Sequence, residues 1–382
     1  MIGIQKTGNR WVRSRTAALA VAAALGIAAT ACSSGAGTTA TTTQASNTPV
    51  AMDTLVAQSH SEHGLIIYGN PPAQYFQPVV QAFKHLYPWI SVQDNDLSDF
   101  QVFSKYESEH AQGATSADLL IASGIAPWLE AEKLGSLQKV TPAGLSRFPS
   151  FTNQGNGLFV MSPEPVLSAY NEKLLTPPQV PLTYGALAQA VTQDPSKYKL
   201  ATYTINNSLG YSAAYGLIHI LGPAKFWPEF TVLASNSKTF GDGLSGLTYL
   251  LQGGASVGYM TSGLSQGVLP NFKGLANYVF MKDATPLVPR GIAVATGAKN
   301  PASAQLFLDF LFSDAGQQAL CGAGFEASEV GFTATNGCTA SLTQLYRTVP
   351  TNQTYLVPYS QAVLAQQPSI TAHWNRIFHT GS

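Results

Sequence analysis

Residues 64–88 read GLIIYGNPPAQYFQPVVQAFKHLYP, and their pattern decides the fold. The apolar run from Gly64 to Tyr68 stops at the turn residues Gly69-Asn70-Pro71-Pro72, as a buried strand does. Phe76, Val79, Val80, Phe83 and Tyr87 then recur at helical spacing until Pro88 ends the helix. The alternation continues with a strand at 90–93, a helix at 102–110, a strand at 117–122 and a helix at 127–133. Strands alternating with helices predict a parallel α/β sheet. In such a sheet ligands bind at the carboxyl ends of the strands, beside helix N-termini. The loops at those ends are 69–72 and 123–126, which makes Asn70, Ser123 and Gly124 candidate ligand-binding residues, with Trp128 as an apolar cover.

A second domain is predicted beyond Thr176-Pro-Pro-Gln-Val-Pro181, with helices at 184–190 and 211–221 and strands at 200–205 and 255–259. Its turns repeat the arrangement of polar loops at strand ends. They add Asn206, Asn207 and Ser208, which together read as a turn and N-cap, and Thr261 and Ser262 as hydrogen-bonding candidates, with Tyr259 as a second apolar cover. Tyr203, Tyr211 and Tyr215 fall at strand or helix spacing and read as core. A strand at 291–295 leads to Asn300-Pro301-Ala302, where proline suits a first helical turn, then helices at 302–312 and 315–320. A helix at 361–366 and the run around Trp374 close the chain.

The N-terminus reads as an address. Lys6, Arg10, Arg13 and Arg15 precede the uncharged run TAALAVAAALGIAAT, which is shorter than the roughly 20 residues a membrane span needs and has the form of a secretory h-region. Ala29-Thr30-Ala31-Cys32 follows and resembles a bacterial lipobox, with Cys32 the expected lipidated residue. Residues 1–31 are therefore expected to be a signal peptide, and 32–62 a lipidated cysteine with a disordered tether, because Ser, Thr, Ala, Gly and Gln cannot bury enough apolar surface to order themselves. His60 and His63 lie in that tether and form no metal site. The expected location is the outer face of the bacterial cell membrane.

Composition narrows the function. The chain has 382 residues, 20 basic and 20 acidic, with only 10% charged, so a basic nucleic-acid surface is excluded. With 45% hydrophobic residues, 34 Gly and 23 Pro, it has enough apolar surface for sizeable cores joined by many turns. With Cys32 lipidated, Cys321 and Cys338 remain as an even pair in an oxidising compartment and are expected to form a disulfide.

Two stretches fit enzyme motifs. Gly263-Leu-Ser265-Gln-Gly267 fits the pattern of a hydrolase nucleophile, but Val268-Leu-Pro270 is read as denying the helix that such an elbow needs. Gly241-Asp-Gly243-Leu-Ser-Gly246 fits a dinucleotide fingerprint, yet it is not expected to follow a buried strand, and no acid stands about 20 residues on. No phosphate-binding G-x-x-x-x-G-K-[ST] occurs, so any ATP hydrolysis falls to a partner. Neither an enzyme nor a cofactor is expected.

Thr285-Pro-Leu-Val-Pro-Arg-Gly-Ile-Ala-Val-Ala295, Gly297-Ala-Lys-Asn-Pro301 and AQLFLDFLFSDAGQ at 304–317 together resemble the extracytoplasmic solute-binding proteins of bacterial ABC importers, in the two-lobed group that includes ferric-ion binders. Leu65-Ile-Ile-Tyr68, Ala82-Phe83, Tyr87-Pro88, Ala117-Asp118, Ala169-Tyr170-Asn171 and Lys173-Leu174 add to the likeness. The resemblance implies a two-lobed α/β fold, each lobe a mixed sheet flanked by helices, with the solute trapped between lobes. Lobe 1 is expected from 64–165 and 276–325, lobe 2 from 166–275 and 326–382. The implied partners are a small-molecule solute, an ABC permease and its ATPase, and the membrane through the lipid anchor; a monomer is expected.

Ferric binders of this group typically use a His or Tyr in the first loop, an acid after the third strand and a Tyr pair in the second lobe. Here those places hold Asn70-Pro71-Pro72, Ser123-Gly124 and Met260-Thr261-Ser262-Gly263. The loops offer uncharged amides and hydroxyls beside helix N-termini, an environment that favours anions. The expected solute is therefore small and anionic or zwitterionic, of the phosphonate, phosphate ester or carboxylate class. Ferric iron is the alternative, and a membrane-anchored serine hydrolase is a more distant one. A cationic polyamine is set aside because the four loops lack carboxylates.

Overall fold

The computed structural model describes residues 50–380. Helix α1 (Met52–Glu62) leads into β1 (Gly64–Gly69), α2 (Ala73–Leu86), β2 (Ser91–Asp96), α3 (Asp99–Ala111), β3 (Leu119–Ala122), α4 (Ile125–Leu134), β4 (Asn153–Gly155) and β5 (Leu158–Pro165). The middle of the chain forms β6 (Leu167–Asn171), α5 (Tyr184–Gln193), β7 (Leu200–Tyr203), α6 (Ser208–Leu221), α7 (Pro223–Ala234), β8 (Ser237–Phe240), α8 (Gly243–Leu251), β9 (Val257–Thr261), α9 (Ser265–Val268) and β10 (Ala276–Val279). The last part forms β11 (Thr285–Val294), α10 (Pro301–Leu311), α11 (Asp314–Gly322), α12 (Leu342–Leu345), β12 (Thr354–Leu356) and α13 (Gln361–Phe378).

These strands make two mixed sheets. The first runs β2-β1-β3-β11-β5-β4, with β12 pairing the start of β11; the second runs β10-β6-β9-β7-β8. In the first, β1 lies parallel to β2 and β3, while β11 runs antiparallel to β3 and β5. Side chains alternate faces along a strand, and both faces of the central strands are covered, which is why β3 reads as an unbroken apolar run. Leu65, Ile67, Leu119 and Ile121 pack with Phe76, Phe83 and Phe307 on one face. Leu120 and Ala122 meet Phe103 and Trp128 on the other. The second sheet buries Leu200, Val257 and Tyr259 with Tyr184, Phe226 and Phe230. The chain passes between sheets at Val166, whose N–H donates to Pro286 O at 2.8 Å, and again between β10 and β11.

Several expectations change. The segment 52–62, read as part of a disordered tether, is a helix, because Leu55 and Ser59 fall on one face and are buried. Glu62 then accepts the N–H groups of Ala302 (3.0 Å) and Ser303 (2.8 Å) at the start of α10, and His60 stacks on Trp89. Strand β10, expected in lobe 1, pairs with β6 of the second sheet. Strand β12, expected in lobe 2, pairs with β11 of the first. Both depend on pairings between distant segments, which local patterning does not encode. Helix α13 continues past Pro368 to Phe378 and buries Trp374. The expected signal peptide and the expected lipidated Cys32 lie outside the described residues.

Cys321 and Cys338 are joined by a disulfide, with Cα atoms 5.8 Å apart. The bond closes a loop across a sequence separation of 17. Loop closure of that size stabilises by about 3 kcal/mol on the chain-entropy model. Urea unfolding of the Cys321→Ser/Cys338→Ser protein is expected to show that loss; an unchanged midpoint would count against it.

Candidate functional site

The ends of the parallel strands converge as the fold class requires. Loops after β1, β2 and β3 from one side, and after β7, β8 and β9 from the other, face a cleft of ≈ 580 Å³. Asn70, Ser123, Asn207, Ser208 and Ser262 line it. Gly124 and Asn206 instead line a smaller recess of ≈ 100 Å³ alongside, where Asn207 and Ser208 also reach. Thr261 turns away; its hydroxyl donates to Gly258 O at 3.0 Å.

Trp128 and Tyr259 do not cover a solute. Trp128 is fully buried, its Nε1 donates to Ala122 O at 2.9 Å and its ring meets Phe103 edge-on. Tyr259 is equally buried, with its hydroxyl 2.9 Å from Ser237 Oγ. Each polar atom has found a partner inside the core, as buried aromatics with a polar tip require.

The larger correction concerns charge. The four loops read from sequence lack carboxylates, but the cleft wall includes Asp96, Asp99, Glu164 and Asp242 against the single base Arg290. Asp96 ends β2 and Asp99 opens α3, on either side of the short turn between them, and Asp242 comes from the β8–α8 loop. Asp242 caps α8 with its own carboxylate: Oδ1 accepts the Ser245 N–H at 2.8 Å, and these backbone and hydroxyl donors hold its pKa below the ordinary value. Asp96 Oδ2 accepts the Ala73 N–H at the start of α2 (3.1 Å), and Asn207 Oδ1 accepts the Gly210 N–H in α6.

A continuous chain of hydrogen bonds crosses the first sheet's side of the cleft. Arg290 Nε and Nη2 donate to the two Glu164 oxygens at 2.5 and 3.1 Å, both residues being buried. Burial opposes the guanidinium's charge, but the Glu164 carboxylate overrides it and holds the Arg290 pKa above its usual value. Arg290 Nη1 donates to Asn70 Oδ1, and Asn70 Nδ2 donates to Asp99 Oδ1 at 2.6 Å. The same Asp99 oxygen also accepts the backbone N–H groups of Ser123 (2.8 Å) and Gly124 (3.1 Å), where α4 begins. The sequence signals for this chain were slight: one arginine inside the apolar stretch 285–295, one glutamate inside 158–165 and an acid-rich run at 94–99.

Behind this chain Glu326 is fully buried. Desolvation, opposed by Gln266 and reinforced by Glu164, pushes its carboxyl up to about 8. Gln266 Nε2 donates to Glu326 Oε2 at 2.9 Å, while Oε1 has no partner.

The two enzyme motifs also look different in the fold. A helix does follow Ser265, which opens the four-residue α9, but no histidine hydrogen-bonds that serine among the described residues. The glycine motif at 241–246 does join a strand to a helix, yet β8 is a partly exposed edge strand and Asp242 occupies the helix start that a phosphate would need. Among the described residues no group of three or more His, Cys, Asp or Glu could hold a metal ion.

Two mixed sheets with a polar cleft at their strand ends define a two-lobed solute-binding protein. The chain belongs to the bacterial extracellular solute-binding proteins, a family that matches residues 101–326. Membership implies export and a small-molecule solute as partner. No curated protein matches it. The substrate-binding protein of an ABC transporter from Agrobacterium tumefaciens superposes with a TM-score of 0.70 at 18% identity, over 83% of this chain and 94% of that one. Iron-bound HitA from Pseudomonas aeruginosa gives 0.64 at 20% identity, over 82% and 99%. The periplasmic binding protein AfuA from Actinobacillus pleuropneumoniae, with fructose-6-phosphate bound, gives 0.64 at 16% identity, over 83% and 99%.

Proposed function

We propose that this protein is the lipid-anchored, non-enzymatic capture subunit of its importer, and that its solute carries a protonated amine or comparable cationic donor, in zwitterionic form or with a neutral polar remainder. The solute would bridge both sheets and favour a closed form through contacts that the open form lacks, with bending at Val166 and between β10 and β11. Cys32 would hold the body at the membrane while the closed form meets the permease.

One observation carries the solute class. The cleft lining has four carboxylates against one guanidinium, and that guanidinium is already paired with Glu164. Among the described residues the hydrogen bonds to Asp99 all go to Oδ1, which leaves Oδ2 for a donor on the solute. A plain anion would meet Asp96, Asp99 and Asp242 with no unpaired cation to offset them, so of the anionic or zwitterionic solutes expected from sequence only the zwitterion keeps its support. Ferric iron has less support, because among the described residues no group of three or more His, Cys, Asp or Glu could hold a metal ion.

Isothermal calorimetry with glycine, ethanolamine, inorganic phosphate and ferric citrate tests this reading. Heat is expected with the amine-bearing solutes and not with phosphate or iron. Tight binding of phosphate or iron alone would overturn the solute class. Ester turnover lost in Ser265→Ala would overturn the non-enzymatic assignment.

A further inference from the structure

We infer that Asp99 is a specificity-determining residue: its carboxylate occupies the anion cradle of the first lobe and so excludes anionic solutes from the cleft. The inference deepens the solute class proposed above, and it rests on a different observation. The groups that would recognise an anion are all present, and an internal acid already engages them. The N–H groups of Ser123 and Gly124, at the start of a ten-residue helix, converge with the Asn70 amide on one oxygen of Asp99. A helix start presents unpaired N–H groups and the positive end of a dipole. The buried Arg290 stands one residue further along the same chain, bonded to Asn70.

Asp99 is placed for this by the fold. Ser98 caps α3, with its hydroxyl accepting the Gln101 N–H and the Gln101 side chain returning to the Ser98 N–H. That capping box sets the entry of α3, and Asp99 as its first residue is carried across to the start of α4. The Cβ of Asp99 lies so close to Gly124 that a side chain there would stand 3.3 Å from it. With Asp99 in place, an incoming phosphate meets a carboxylate instead of three donors. With Asp99 removed, the Ser123 and Gly124 N–H groups and the Asn70 amide lose their acceptor, and Arg290 is the nearest cation.

The test is calorimetric titration of inorganic phosphate, at constant ionic strength, into the full-length wild type, Asp99→Ala and Asp99→Asn. Asp194→Asn, at a half-buried acid just past the end of α5 and outside the cleft lining, controls for net charge. Hydrogen bonds to a charged group are worth about 1.5–3 kcal/mol each, so recovering even one raises affinity about tenfold or more. Asp99→Ala is therefore expected to bind phosphate at least about tenfold more tightly than wild type, and its melting temperature to rise with phosphate where the wild type's does not. Asp99→Asn keeps an acceptor for the same N–H groups and is expected to fold if Asp99→Ala does not; losing the charge alone should still raise phosphate affinity severalfold. Equal phosphate affinity in wild type and whichever Asp99 variants fold, or an equal gain in Asp194→Asn, overturns the inference. The amine-bearing solutes are a separate arm: if none binds wild type while Asp99→Ala gains phosphate, the proposed solute class fails and the role of Asp99 stands.

Discussion

Arg290→Met is expected to unfold at a much lower denaturant concentration than the wild type, with a loss of about 3–5 kcal/mol. The reason is what the substitution leaves behind. Glu164 is 4% exposed, and its two oxygens take their hydrogen bonds from Arg290. Removing the guanidinium strands a carboxylate in the protein interior and frees Asn70 from its partner. Removing both charges avoids that penalty, so Arg290→Met/Glu164→Gln is expected to recover most of the lost stability. The order of midpoints, wild type and double variant close together and the single variant far below, is the discriminating result. A double variant as unstable as the single would mean that Arg290 acts through its packing over Phe325, whose ring centre lies 5.8 Å away.

The second large effect is a pH dependence set by Glu326. Its folded-state pKa, about 8, lies above the ordinary 4.5, so between those values the native protein holds a proton that the unfolded chain has released. Stability then falls as pH rises through that window, and the contribution is gone above pH 8. At about 1.4 kcal/mol per unit the total is of the order of 5 kcal/mol. Glu326→Gln removes the ionisation and keeps an acceptor for Gln266. Its unfolding free energy is expected to match wild type near pH 4.5 and to exceed it by several kcal/mol at pH 9. Parallel pH profiles for the two proteins would show that Glu326 is not the titrating group. Glu164 lies beside Glu326, so the profile is best measured in the Glu164→Gln background as well; a persistent difference there assigns the titration to Glu326 itself.

Much of the architecture was legible because it is written in local patterns. The run 64–88 forms β1 and α2 nearly as read, Pro301 opens α10, and Asn207 caps α6. The disulfide partners followed from cysteine arithmetic. The misplaced parts share a cause. Strands β10 and β12 joined the sheets opposite to those expected because pairing partners are chosen across more than 60 residues, and period-2 alternation says nothing about which neighbour a strand takes. Helix α1 was hidden in a polar composition because two well-spaced buried positions, Leu55 and Ser59, suffice once α10 offers a surface.

The site divides along the same line. Sequence by itself determined the class of protein, the strand-end loops that form the cleft and five of the residues that line it, because strand ends and helix caps are punctuated by Gly, Pro, Asn and Ser. Only the tertiary structure decided the cleft's charge and the fate of its aromatics. Arg290 and Glu164 are 126 residues apart and meet only when β11 lies against β5. Asp99 reaches the start of α4 only because β2, β1 and β3 bring their carboxyl ends together. Electrostatic contacts fall off within a few ångströms, so distance in space, which a linear order does not carry, sets which charges neutralise one another and what solute the remainder can hold.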